Sequence, residues 1–132
     1  MTIEPTPEQF RRLATSDDDE PVVMVNLLRF KPRAEGIDAE DGITGAEAYG
    51  RYAAAVTTFL TRVGGRVLFA AEPQESVIGP EPGEWDLVLA VEYPSRSAFV
   101  AMTSDPEYLA IHGHRAAALA DSRLIACTSI SV

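Results

Sequence analysis

Hydrophobic residues recur along this chain either two apart or three to four apart, and each change of spacing marks the border of an element. From Val22 to Phe30, alternation sets Val22, Met24, Asn26, Leu28 and Phe30 against Val23, Val25, Leu27 and Arg29, which predicts a strand apolar on both sides. Thr44, with Glu47 three residues later, forms a capping box. Tyr49, Tyr52, Val56, Phe59, Leu60 and Val63 then follow at helical spacing until Gly64 and Gly65 close the helix. Arg66 to Ile78 predicts a second strand built on Val67, Leu68, Phe69, Val77 and Ile78, with a bulge or an edge at Pro73. The turn from Gly79 to Gly83 pairs it antiparallel with the next strand, where Trp85, Leu87, Leu89, Val91 and Tyr93 alternate with a mixed side. Pro94 stops that strand, Ser95 caps a helix carrying Phe99 and Met102, and Asp105-Pro106 restarts it as a second helical piece. Arg123 to Ser131 is apolar and β-branched enough for a closing strand.

The order strand, helix, strand, strand, helix, strand predicts an α+β fold, a ferredoxin-like βαββαβ sandwich with a four-stranded antiparallel sheet. Residues 1–132 form one domain. Residues 1–21 add a short helix over Pro7 to Ala14, capped by Thr6 or Thr2 and packed as an appendage, followed by an acidic loop. Residues 31–45 form an insertion loop, either a solvated excursion or a lid. Helices on one side of the sheet leave its other apolar side bare, so a second copy of the chain is expected to cover it. Asn26 interrupts an apolar strand face, and its amide must either bond neighbouring structure or face a polar pocket.

The formal net charge of −9 and the absence of clustered Lys and Arg turn the reading away from nucleic acid and anionic membranes. No apolar run approaches the roughly 18 residues of a membrane span, and the first residues carry no export signal, so a cytoplasmic protein is the default. Cys127 is the single cysteine, which excludes an internal disulfide and thiolate-rich metal centres; it is expected as a small core residue. No phosphate-cradling glycine loop, nucleophile elbow or paired-carboxylate motif is present.

Six short motifs, Tyr49-x-x-Tyr52-Ala53-Ala54-Ala55, Gly64-Gly65-Arg66, Gly83-Glu84-Trp85, Tyr93-Pro94-Ser95, Ser104-Asp105-Pro106-Glu107-Tyr108 and Arg115-x-Ala117-Ala118, stand in one order over Val22 to Ile130. In that order and spacing the chain resembles the domain-of-unknown-function 1330 family of the dimeric α/β barrel superfamily. It departs by its N-terminal helix and by the acidic loop between Lys31 and Gly45. The resemblance implies the ferredoxin-like fold, a homodimer, and a cavity between the sheet and its own helices. The wider superfamily includes cofactor-free monooxygenases, small lactone isomerases and haem proteins, which is an analogy of fold.

Asn26, Tyr52, Tyr108, His112, His114 and Arg115 are the polar groups expected to converge on such a cavity, with Trp85 as packing or a pocket wall. A helical wheel puts Tyr108, Ile111, His112, Arg115 and Leu119 on one face and His114 on its flank and so prefers His112, while the family resemblance aligns at Arg115 with His114 as its neighbour; both histidines stay in play. Two residues apart on a helix, they cannot chelate one metal together, and no metal site is expected. Imidazole ordinarily titrates near neutrality and serves as a general base for a proton beside a carbonyl, with Arg115 or Asn26 holding the oxyanion. Two functions follow from different classes. One is a cofactor-independent small-molecule enzyme, isomerase or monooxygenase-like, acting on an apolar carbonyl compound; the other is a non-catalytic binding or scaffold dimer. Haem is a third alternative, needing an axial histidine over an opening wide enough for a porphyrin.

Overall fold

The computed structural model describes all 132 residues. Helix α1 (Pro7–Ala14) is followed by strand β1 (Val22–Phe30), helix α2 (Gly45–Arg62), strands β2 (Arg66–Ala71) and β3 (Leu87–Tyr93), helices α3 (Arg96–Ser104) and α4 (Pro106–Ala118), and strand β4 (Leu119–Cys127). The strands lie in the order β2-β3-β1-β4, every neighbouring pair antiparallel. This is the ferredoxin-like arrangement that the element order predicts. No helix is long and apolar enough to cross a membrane.

Caps decide where the helices begin. Thr44 and Glu47 exchange backbone bonds in a capping box at the start of α2, Ser95 accepts from the Ala98 amide at the start of α3, and Asp105 accepts from the Glu107 amide with Pro106 at the first position of α4. Gly64 ends α2 at φ +80, a left-handed conformation that costs other residues energy. Register then sorts the strand residues. Met24 opposes Val91 and Ala126, and Asn26 opposes Leu89 and Leu124, on the side that the helices cover. Val25 opposes Ala90 and Ile125 on the other side, where Phe69 also opposes Ala90. The core is the inner layer, with Leu28 and Ala48 at 0% exposure and Leu119 at 1%, joined by Tyr49, Tyr52, Phe59 and Tyr108.

The borders differ from expectation in four places. β2 stops at Ala71, and its register irregularity falls between Val67 and Phe69, not at Pro73; Val77 and Ile78 are 91% and 97% exposed in irregular chain. Apolar content alone cannot hold a strand that has lost its partner, and β3 starts only at Leu87, where the Asp86 amide donates to the Leu28 carbonyl. β4 begins directly after α4, so Leu119, assigned to the α4 face by the wheel, opens the strand, and Ser129 to Ser131 lie beyond it. Cys127 opposes Val23 on the outer side and is only half-buried, not a core residue. The loop from Lys31 to Gly45 is exposed over most of its length but anchored: it contains a 3-10 turn over Gly36–Asp41 and bonds α4 and its own ends through Glu35 to Ala117, Ala34 to Ile43 and Gly45 to Lys31.

Gly45 is where that loop meets α2 and α4. A Cβ there would lie 2.2 Å from the Lys31 carbonyl oxygen and 2.7 Å from that of Ala118, both backbone atoms with nowhere to go. Gly45→Ala is expected to destabilise the fold by about 2 kcal/mol through overpacking. The same substitution at Gly50, which has open space around it, is expected to be neutral or slightly stabilising. Urea denaturation of both variants checks the contrast.

Candidate functional site

The space between the inner side of the sheet and the helices is not filled by side chains. A cavity of about 960 Å³ remains there, at the upper end of the range for small-molecule sites. Met24, Asn26, Leu89 and Val91 form its floor on the sheet. Tyr52, Val56 and Leu60 of α2, and Phe99 and Met102 of α3, form its walls. Tyr108, His112 and Arg115 approach from α4, spaced so that each lies about one helical turn from the next. The N-terminal segment closes a further side with Ile3, Glu4, Phe10 and Leu13. α1, expected to pack as an appendage, is part of the cavity wall, which its apolar pair Phe10 and Leu13 lines.

One row of hydrogen bonds runs through this apolar setting. The Tyr52 and Tyr108 hydroxyls are 2.8 Å apart, Tyr108 Oη is 3.3 Å from His112 Nδ1, and His112 Nε2 is 2.6 Å from Glu4 Oε1. With a neutral imidazole a single proton arrangement satisfies the row: Nε2–H donates to Glu4, Tyr108 donates to Nδ1, and Tyr52 donates to Tyr108. Burial raises the pKa of Tyr52, Tyr108 and Tyr93 and pushes Tyr49 up to about 12, so near neutrality these groups are phenols and act as donors. Arg115 donates from Nη1 to the Ile3 carbonyl at 2.6 Å, and its charge opposes the upward shift of Tyr49, Tyr52 and Tyr108. The Asn26 amide donates to the Met24 carbonyl at 3.2 Å within its own strand, a bond that leaves its second N–H and its oxygen free.

Five of the residues singled out in the sequence, Asn26, Tyr52, Tyr108, His112 and Arg115, line this one cavity. His114 and Trp85 do not. His114 Nδ1 lies 2.9 Å from Oδ2 of Asp38, a carboxylate 1% exposed that also accepts from Arg51 at 2.8 Å, so this histidine fastens the 31–45 loop to α4. Trp85 lies under the Arg123 guanidinium, 5.3 Å from ring centroid to Cζ. Glu4 and Asp38 had no signal in the sequence, because each meets its histidine only through the fold.

The N-terminal strap is tied down by β4. Ser122 donates to the Thr2 carbonyl from its amide at 2.8 Å and from its hydroxyl at 3.0 Å, and the Thr2 amide donates to Asp121 at 3.0 Å. That Thr2 amide, and after it the Arg123 guanidinium, hold the Asp121 carboxyl down at about 2.

The family model for the domain of unknown function DUF1330 matches residues 39–128. A solved protein of unknown function from Rhodopseudomonas palustris is similar at 40% identity over 98% of both chains, with a TM-score of 0.89. A dimeric protein with a ferredoxin-like fold from Bacteroides fragilis NCTC 9343 is similar at 10% identity over 81% of this chain and 94% of that one, with a TM-score of 0.52. A Caulobacter crescentus CB15 protein named as a candidate antibiotic-biosynthesis monooxygenase is similar at 13% identity over 86% of this chain and 92% of its own, with a TM-score of 0.53. These two distant likenesses concern the fold alone. No curated protein matches the chain.

Because the folded carboxyl of Asp121 titrates below its unfolded value, its contribution to holding the strap is complete above roughly pH 4 and is lost as the pH falls toward 2. Carbon-detected NMR of the Asp121 carboxyl should show a midpoint near 2. Asp121→Asn should loosen residues 1–14 at neutral pH, read as faster cleavage within them by limited proteolysis; an unchanged rate would remove Asp121 as the anchor.

Proposed function

The chain belongs to the DUF1330 family and has a ferredoxin-like fold, and from that premise we propose that its cavity binds a small apolar carbonyl compound and isomerises it by proton transfer, without a cofactor. The observation that carries this reading is the row Tyr52, Tyr108, His112, Glu4 set into apolar walls. Nε2–H donates to Glu4, which leaves Nδ1 as the basic atom, and a bound carbonyl compound takes over the Tyr108 O–H that Nδ1 otherwise accepts. A carbon–hydrogen proton beside the carbonyl passes to Nδ1. The enolate oxygen formed is held by that Tyr108 hydroxyl, which still accepts from Tyr52, and by the free N–H of Asn26, and the imidazolium returns the proton at a neighbouring carbon. Atoms and electrons balance, and no oxidant is needed.

A second reading rests on the bare side of the sheet. Val25, Leu27, Val88 and Ala90 form an apolar strip there, continued by Ile125 and Phe69 at 49% and 53% exposure. Burying such a strip against its own copy is what supports a homodimer, alongside the dimeric description of the Bacteroides fragilis protein. The dimer is compatible with catalysis or with binding alone.

Two measurements test these proposals. Apolar cyclic ketones and enones incubated with the protein in deuterium oxide should exchange protons beside the carbonyl faster than buffer for at least one compound. His112→Gln should lower that exchange by about a hundredfold or more. Exchange unaffected by the substitution, or none with any compound, would sink the isomerase reading and leave the binding one. Light scattering after gel filtration should report twice the 14.3 kDa chain mass, and Ile125→Asp should bring it back to one chain with the far-UV spectrum unchanged. A wild-type monomer would refute the dimer.

A further inference from the structure

Arg115 stands apart among the cations of the chain. Arg29, Lys31 and Arg96 are likewise partly buried, and each has a carboxylate within ion-pairing distance, in Asp121, Glu35 and Asp18. The other arginines without such a partner, Arg11, Arg12 and Arg33, are exposed, where water solvates them. Arg115 is partly buried, lines the cavity, and bonds one backbone carbonyl, that of Ile3. Glu4, next in the chain, is committed to His112. In a protein with 20 Asp and Glu against 11 Lys and Arg, lack of carboxylates is not the reason. A guanidinium has five N–H donors in a planar fork that fits a carboxylate with two parallel bonds, and one donor is used here. Withdrawing such a charge from water without a counter-ion is unfavourable, so a site that keeps it unpaired is complementary to an anion that arrives with the ligand.

On the reading of the cavity as the functional site, we propose that its ligand is an apolar monocarboxylate, the carboxylate gripped by Arg115 and the hydrocarbon tail laid against Met24, Leu89, Val56 and Phe99. A single charge is the match, because the other cavity-side guanidinium, Arg123, is exposed to water, bonds Asp121 at 2.9 Å and stacks over Trp85. A dianion would leave one of its charges unanswered between apolar walls. The substrate class then narrows to unsaturated or keto acids with a hydrophobic tail. In such a molecule Arg115 holds the carboxylate, and the carbonyl or double bond lies toward Tyr108 and His112.

The test compares decanoate with decanol by isothermal titration at neutral pH. The wild-type protein should bind decanoate at least tenfold more tightly. Arg115→Met should bring the two within about twofold while retaining decanol binding, and Arg115→Lys should keep part of the preference. Equal affinities in the wild type, or a preference that survives Arg115→Met, would overturn the anion assignment and leave the apolar cavity standing. Binding of neither probe would overturn the cavity reading together with it. Should Arg115→Met fail to fold, the wild-type comparison and Arg115→Lys still decide.

Discussion

Two phenol groups buried between α2 and α4 pair with each other, and Tyr108 carries the row on to His112. The Tyr52 and Tyr108 hydroxyls meet at 2.8 Å where the two helices pack, and their rings belong to a chain of aromatic contacts that includes Tyr49, Phe59 and His112. Leaving one such hydroxyl unpaired costs about 1–3 kcal/mol, so the seam holds the helices in one relative setting. Rigid aromatic rings and paired hydroxyls keep α2 and α4 together at that seam. The helices then roof the sheet without settling onto it, and the remaining space is the cavity.

The electrostatics of the molecule follow the same division. Most cations are answered by carboxylates near the surface, where pairs contribute little to stability. Asp38 and Asp121 are the exceptions among carboxylates, buried but matched, the first by His114 and Arg51 and the second by Arg29 and Arg123, while Arg115 is the exception among cations, partly buried and unmatched. A buried ion that finds its partners serves the fold. One that does not marks a place where something outside the chain is expected.

His112 and His114 show how one helix serves both purposes. Two residues apart, they leave α4 in different directions. His112 meets Glu4 from the N-terminal strap, and His114 meets Asp38 from the loop after β1. Both carboxylates lie ahead of residue 39, where the match to the family model begins. The strap closes the cavity, and the loop braces the helix that carries the polar row.

Periodicity and caps are local, which is why the strand and helix order, the helix starts at Thr44, Ser95 and Asp105, and the two-sided apolar character of β1 were legible along the chain. Asn26 was legible too, since one amide in an apolar face stands out wherever it ends up. Strand ends were not, because β2 and β4 extend only as far as a neighbour offers backbone bonds; apolar content does not measure that. Helical spacing pointed to His112, which shares the face of Tyr108 and Arg115, but the partners of the two histidines were out of reach. Those partners are Glu4 and Asp38, 108 and 76 residues away in sequence, and no periodic pattern connects positions so distant. The amino-acid order determined which elements form and which faces are apolar; only the packing of α2 against α4, and of the strap against β4, decided where the hollow lies and which polar groups enter it.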